Sequence, residues 1–402
     1  MNKYFSLFGA TGSIGDFTLH VIDNIKEGKP DIFLLSGNLQ TEKLAILAKK
    51  YNPEFLHIPE KKKDELYRLL DDNLKKRINI ISSFDEIYEA YHNVNIWEHY
   101  IINGVIGTGG MLPSFLSQHF NIKSAIANKE SVILSHELFE YLDTSLIYPL
   151  DSEQHGIYKI LPFIKKEEIE NIYITASGGK AYKKTDDEIS SLNLDDVVKH
   201  PNWKMGKRIT VDSSTGVNKA YEYIETQALF NIPKEKIRIV IDQKSLIHAI
   251  IQDKKNNYYF TVSTPDMHLP ILSFFESIGI YSQIKIAPLS FVDFQVQLTD
   301  ILSKSYPILG PFINNYDRSL FAGTFLIVLN NRLLDSFFDY KISFSELRDK
   351  LCQILQILFQ DRDDIYQSLF KNFNKLSFKD KDSYIKINEF LDIMNKIVEK
   401  FV

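Results

Sequence analysis

Tyr4-Phe5-Ser6-Leu7-Phe8-Gly9-Ala10-Thr11-Gly12-Ser13-Ile14-Gly15 is the stretch on which the fold turns. Five residues of strand character run into glycines at 9, 12 and 15, and a helical pattern follows from Asp16. The three glycines allow a tight turn, a close backbone approach to a pyrophosphate, and close packing of the helix on the strand. The helix N-terminus then offers unpaired N–H groups and a partial positive charge to an anion. A glycine trio alone says little. Placed between a first strand and a helix, it is a dinucleotide-binding signature.

Outward from that turn, short apolar runs alternate with helical patterns. The strands expected are Tyr4–Phe8, Ile32–Leu35, Phe55–Ile58, Ile78–Ile81, Tyr100–Ile102, Ser124–Ala127 and Leu146–Leu150, with helices at Thr41–Lys50, Lys61–Leu70 and Ser131–Leu142 among them. Buried strands alternating with helices predict an α/β fold whose N-terminal part is a doubly wound, Rossmann-like parallel sheet. After Asp151 the strands (Ile172–Thr175, Ile237–Ile241, Tyr258–Val262) lie farther apart, as in a central α+β catalytic domain. From Asp317 on, Leu, Ile and Phe recur at helical spacing through Glu346–Gln360 and Ile387–Phe401, giving a C-terminal helical domain. The expected division is 1–150 for the dinucleotide, 151–300 for the central domain, 301–316 as a linker marked by Pro307, Gly310 and Pro311, and 317–402 for the helices.

Composition narrows the classes. The 402 residues are 44% hydrophobic and 25% charged, an ordinary globular balance too long for one core. A net charge of −5 gives no reason to expect a nucleic-acid partner. The only cysteine, Cys352, can form neither an intrachain disulfide nor a zinc cage, and a reducing compartment follows. Since no apolar run approaches the roughly 20 residues of a membrane span, and Met1-Asn2-Lys3 leads straight into the first strand, a cytoplasmic protein without a membrane partner is expected.

Asp151-Ser152-Glu153 follows the strand Leu146–Leu150. In extended geometry residues i and i+2 point to one side, so both carboxylates could face one ion at the sheet end where ligands bind. A third acid, Glu222, shares a helix face with Asn218, with Lys219 beside them. Carboxylate oxygens suit a hard cation such as Mg²⁺ or Mn²⁺, although two acids at a strand end also read as a helix cap or a surface pair. Nearby stand Ser177-Gly178-Gly179, His200-Pro201-Asn202-Trp203, Met205-Gly206 and Ser213. Hydroxyl, imidazole, amide and ammonium groups together make a phosphate clamp, and the segment holding Trp203 and Met205 suits a closing lid. The second strand ends Leu35-Ser36-Gly37-Asn38 with no acid for a ribose 2′-hydroxyl, which favours NADPH; Lys43 is the nearest cation.

These motifs in this order closely resemble the 1-deoxy-D-xylulose 5-phosphate reductoisomerase family. The resemblance runs from Phe5 to about Pro270. It rests on the 9–15 turn, Gly-Val-Ile-Gly at 104–107, Ala-Asn-Lys-Glu-Ser at 127–131, Asp-Ser-Glu at 151–153 and Ala-Ser-Gly-Gly at 176–179. His-Pro-Asn-Trp-Lys-Met-Gly at 200–206, Val-Asp-Ser at 211–213, Asn-Lys-Ala-Tyr-Glu-Tyr-Ile-Glu at 218–225 and Pro-Asp-Met at 265–267 complete it.

The resemblance implies a homodimer that rearranges 1-deoxy-D-xylulose 5-phosphate by retro-aldol and aldol steps to a branched aldehyde. NADPH would reduce this to 2-C-methyl-D-erythritol 4-phosphate, in the non-mevalonate isoprenoid pathway. Asp151, Glu153 and Glu222 would hold the divalent ion, with Lys129 and Ser152 against substrate or ion. Ser177, His200, Ser213, Asn218 and Lys219 would hold the phosphate end. Thr11, Gly12, Ser13, Ile14, Asn38, Asn128, Glu130 and Gly206 would lie against NADPH. The pattern departs from the family at Gln154, where His is usual, at Asp242-Gln243-Lys244-Ser245, and in the C-terminal third around Ser319–Phe325. A related oxidoreductase acting on another sugar phosphate and a non-catalytic binding paralogue are the alternative readings.

Overall fold

A computed structural model describes residues 3–93, 98–199, 206–290, 292, 295–301, 305–360 and 373–402. Seven strands, β1 (Tyr4–Phe8), β2 (Asp31–Ser36), β3 (Phe55–His57), β4 (Asn79–Ile81), β5 (His99–Asn103), β6 (Lys123–Ile126) and β7 (Ile147–Pro149), form one sheet in the order β4-β3-β2-β1-β5-β6-β7. Every pairing in it is parallel. The connections carry α1 (Ser13–Asp23), α2 (Thr41–Tyr51), α3 (Glu60–Leu69), α4 (Asp72–Arg77), α5 (Phe84–His92), α6 (Met111–His119) and α7 (Lys129–Leu138). Strand order turns back on itself between β1 and β5, so the crevice beyond their C-terminal ends is the ligand-binding position of a doubly wound sheet.

Helices α1 and α7 differ from the sequence expectation in their boundaries, for local reasons. Helix α1 begins at Ser13 rather than Asp16, because Gly12 is extended (φ −91°, ψ −179°) and its carbonyl already accepts the Asp16 N–H at 3.0 Å. Helix α7 begins at Lys129 because Asn128 caps it, accepting the Ser131 N–H at 2.6 Å. It stops at Leu138, where the chain turns extended to pair with Leu376.

A second sheet holds β8 (Ile169–Ala176), β9 (Ile237–Asp242), β10 (Ile247–Asp253), β11 (Tyr258–Val262) and β12 (Leu298–Asp300) in the order β11-β10-β8-β9-β12. Only β8 and β9 run parallel in it. The sequence expectation omits β10, which is buried along its whole length and therefore shows no alternation. Around this sheet lie α8 (Ser152–Ile160), α9 (Asp186–Ser190), α10 (Leu194–Val197), α11 (Lys207–Thr215) and α12 (Val217–Phe230). Helix α13 (His268–Ser277) returns to the first sheet, where Phe275 stacks on Phe5 with ring centroids 5.1 Å apart.

The segment expected as a linker instead contains α14 (Leu309–Asn315) and buries Tyr306, Ile308, Leu309, Phe312 and Tyr316. Gly310 and Pro311 fall in its first turn, where a missing N–H costs nothing. Helices α15 (Ala322–Phe338), α16 (Phe344–Gln360) and α17 (Ser383–Val398) follow among the described residues. Their Phe325, Leu351 and Met394 share one core with Ile224 of α12 and Ile172 of β8. No helix among the described residues is long and apolar enough to cross a membrane.

Candidate active site

The turn after β1 forms one wall of the site. Gly9 has φ +81°, and a Cβ there would lie 2.6 Å from the Gly104 carbonyl oxygen; at Gly15 it would lie 2.4 Å from that of Ala10. These positions exclude any side chain. The loop after β5 is tied to that after β6, since Asn128 Nδ2 donates to the carbonyls of Val105 at 2.7 Å and Gly107 at 3.0 Å. The Gly107 N–H donates in turn to Glu130 Oε1 at 3.2 Å. The strand-end loops of the switch point are thereby one braced surface.

Opposite lie the acids. The extended placement expected for Asp151 and Glu153 is not the one found. Asp151 is the N-cap of α8, its Oδ1 accepting the N–H groups of Glu153 at 3.2 Å and Gln154 at 3.3 Å, and Glu153 sits in the first helical turn. The capping preference of aspartate overrides continuation of the strand, and the helix start still aims both carboxylates the same way. Glu222 reaches them from α12, with Asn218 Nδ2 donating to its Oε1 at 2.6 Å. One oxygen from each of Asp151, Glu153 and Glu222 lies within 4.8 Å of the others.

Two buried lysines stand among these acids. Lys129, the first residue of α7, pairs with Asp151 and lies 3.5 Å from Glu222. Lys219 lies 2.9 Å from Glu153 and 2.5 Å from Glu222. Burial pushes the Glu153 carboxyl up, but Lys219, then Lys129 and His248, outweigh it and hold it down to about 2. Glu222, only 1% exposed, is pushed up to about 8 by burial and by the charge of Glu153, which Lys219 offsets only in part. Burial opposes the charge of Lys129, yet Asp151 and Glu222 hold its pKa well above the ordinary value. Three carboxylates meet two ammoniums here, which leaves the cluster one positive charge short when all are ionised. A hard divalent cation among three carboxylates supplies that charge, so the donor set fits one.

Both walls face a cavity of about 340 Å³. Gly12, Ser13, Ile14, Asn128, Glu130 and Gly206 line its turn side; Lys129, Asp151, Ser152, Glu153, Asn218, Lys219 and Glu222 line its acidic side, with Ser177 and Ser213. Thr11 and Asn38 do not line it. Asn38 is exposed beyond β2, and the Thr11 carbonyl accepts Lys43 Nζ at 3.0 Å and Gln40 Nε2 at 3.3 Å. His200, Trp203 and Met205 lie outside the described residues.

Sequence reasoning missed several lining residues. Asn330, Asn331 and Leu334 come from α15, and Asn330 Nδ2 donates to Asp212 Oδ1 at 2.8 Å. Burial pushes Asp212 up to about 7 despite that bond. His248 lines the cavity from β10, and Glu225, one turn beyond Glu222 but off the cavity lining, is buried with no hydrogen-bond partner for its Oε2 among the described residues. Glu225 had a local signal, its three-residue spacing from Glu222. The α15 residues had none.

A switch-point crevice built for a pyrophosphate, sharing one cavity with a cation-fitting acid cluster, defines a metal-assisted, dinucleotide-dependent enzyme of the α/β class. Residues 5–136 match the family model for 1-deoxy-D-xylulose 5-phosphate reductoisomerase, and residues 147–230 that for the C-terminal domain of the same enzyme. A 1-deoxy-D-xylulose 5-phosphate reductoisomerase of Francisella tularensis subsp. novicida is 30% identical over 352 residues, 85% of this chain and 88% of that one. One from Persephonella marina is 35% identical over 272 residues, 67% and 68% of the two chains. The chain belongs to the 1-deoxy-D-xylulose 5-phosphate reductoisomerase family.

Solved structures agree in fold. A DOX-P reductoisomerase in complex with NADPH, fosmidomycin and magnesium superposes with a TM-score of 0.83 at 23% identity, covering 99% of this chain and 98% of that one. The enzyme of Zymomonas mobilis in complex with NADPH gives 0.79 at 22%, covering 99% and 100%.

Proposed function

We propose that this chain converts 1-deoxy-D-xylulose 5-phosphate to 2-C-methyl-D-erythritol 4-phosphate in isoprenoid biosynthesis, by metal-assisted skeletal rearrangement followed by reduction with NADPH. The observation that carries the reading is the shared cavity: the Gly12–Ile14 turn and the carboxylates of Asp151, Glu153 and Glu222 open onto the same space. Those three residues would hold Mg²⁺ or Mn²⁺, which supplies Lewis-acid polarisation of a carbonyl and its neighbouring hydroxyl. Lys129 and Ser152 orient the reacting end of the substrate from beside the acids. Ser177, His200, Ser213, Asn218 and Lys219 donate to the phosphate end.

Thr11, Gly12, Ser13, Ile14, Asn38, Asn128, Glu130 and Gly206 receive NADPH, and the segment of Trp203 and Met205 closes over the site. The lack of an acid after β2 and the position of Lys43 support NADPH over NADH. Residues 1–150 form the cofactor domain, 151–300 the catalytic domain and 317–402 a helical domain. The protein works as a homodimer in the cytoplasm. Support comes from β11, an edge strand exposing Tyr258 and Phe260, and from a single free cysteine, Cys352.

The test incubates the pure chain with 1-deoxy-D-xylulose 5-phosphate, Mg²⁺ or Mn²⁺ and NADPH, and follows the nicotinamide absorbance. Metal-dependent oxidation of NADPH, faster than that of NADH, is expected. No oxidation with either ion overturns the reading; oxidation only with other sugar phosphates replaces the substrate.

A further inference from the structure

The three carboxylates come from two helices, so something must fix how far apart those helices hold them. Asp151 and Glu153 belong to the start of α8, and Glu222 belongs to α12. Gln154, fully buried, lies between. Its backbone N–H donates to Asp151 Oδ1 at 3.3 Å, and its side-chain Nε2 donates to the Glu222 carbonyl oxygen at 3.1 Å. Its Oε1 lies 3.1 Å from Thr226 Oγ1, whose hydroxyl is also 2.8 Å from the Glu222 carbonyl. The Thr226 hydroxyl has one proton to share between those two acceptors, while the Gln154 Nε2 donation to Glu222 depends on no such sharing.

We propose that Gln154 is the positioning residue that sets the separation of Glu153 and Glu222, and through it the affinity of the cation site. One side chain donates to the peptide carbonyl of Glu222, which bears the third carboxylate, while its own backbone N–H donates to the first. The second carboxylate is its immediate neighbour. A carboxamide suits this place because it offers a donor to Glu222 and an acceptor to Thr226 at once, and it carries no charge at any working pH. An imidazole, usual at this place in the resembled family, reaches one partner per nitrogen and changes charge near neutrality. Burial makes the network costly to break, since without the Thr226 hydroxyl the buried Gln154 Oε1 has no water to turn to.

The inference rests on the cation site of the proposed function, so the experiment first measures Mn²⁺ binding to the wild-type chain by calorimetry. Gln154→Met, of similar length and without the amide, is then expected to raise the Mn²⁺ Kd about 10- to 100-fold. The NADPH Kd, read by nicotinamide fluorescence, should stay unchanged. Thr226→Val removes the hydroxyl at nearly constant volume and should raise the Mn²⁺ Kd by a smaller factor. Because both act on one network, the double variant should fall short of the product of the two factors. Gln154→His, with an N–H that can reach the Glu222 carbonyl, should recover part of the affinity.

Circular dichroism checks each fold, and Thr226→Val carries the test if Gln154→Met does not fold. Unaltered Mn²⁺ affinity in the folded variants, or a strictly multiplicative double variant, overturns the inference alone. Absence of Mn²⁺ binding by the wild-type chain overturns the functional reading and this inference with it.

Discussion

The ammonium of Lys219 lies 2.9 Å from Oε1 of Glu153, with both side chains largely withdrawn from solvent. In a buried setting such a pair is held together chiefly by what its loss would leave behind, an uncompensated charge. Lys219→Met therefore destabilises the metal-free chain by about 3 kcal/mol. It should also tighten Mn²⁺ binding, because one positive charge fewer opposes the cation among the same carboxylates. Saturating Mn²⁺ should then raise the melting temperature of the variant more than that of the wild type. Turnover should still fall, since the ammonium proposed to hold the substrate's phosphate end is lost. An equal or smaller metal-induced rise in the variant would show that Lys219 does not compete with the ion.

Glu222 is the deepest of the three acids and the one that reaches across from α12. Glu222→Gln keeps the shape and the Asn218 contact region but removes a ligand charge. Its Mn²⁺ Kd should rise by about two orders of magnitude and NADPH oxidation should stop. NADPH binding, measured by fluorescence without metal, should survive, because the turn at Gly12–Ile14 belongs to a different sheet. Loss of cofactor affinity in this variant would mean that the two walls of the cavity are not separate sites.

How much of this was legible follows from how local each determinant is. The Gly9–Gly15 turn is readable because backbone clashes at Gly9 and Gly15 constrain the residue type within the turn and its neighbouring loop. Asp151, Glu153 and Glu222 are readable as a trio, but the strand geometry first expected for two of them gives way to the capping bond of Asp151. Buried β10 hides because it carries no alternation, and α14 because Gly310 and Pro311 resemble linker residues while suiting a first helical turn. The contact of Asn330 with Asp212 spans 118 residues, and no pattern on either helix announces it.

Gly15 tests the cofactor wall. A methyl group there would lie 2.4 Å from the Ala10 carbonyl oxygen, a backbone atom that cannot move without opening the turn. Gly15→Ala should push α1 off β1 and raise the NADPH Kd at least about tenfold, because that turn is the proposed pyrophosphate cradle. The Mn²⁺ Kd, set by α8 and α12, should not change. Unaltered NADPH affinity in a folded Gly15→Ala chain would place the cofactor elsewhere.

Acid sensitivity should come in part from His99 of β5, which is 5% exposed and shares a hydrogen bond of 2.9 Å with Ser6 Oγ. Phe33 and Tyr91 pack on its ring, and burial lowers its pKa to about 4. The unfolded chain takes up its proton near the ordinary value of about 6.5, so between that pH and 4 the unfolded state binds more protons than the folded one. The neutral ring's contribution is therefore complete above about pH 6.5 and is lost as the pH falls towards 4. His99→Gln keeps a partner for Ser6 and removes the titration. In urea unfolding, the stability advantage of wild type over this variant should shrink by about 2 kcal/mol between pH 7.5 and pH 5. His57, His136 and His155 are lowered as well and titrate in both proteins, so they cancel in the difference. A gap between wild type and His99→Gln that stays constant with pH would show that His99 takes up its proton in the folded chain as readily as in the unfolded one.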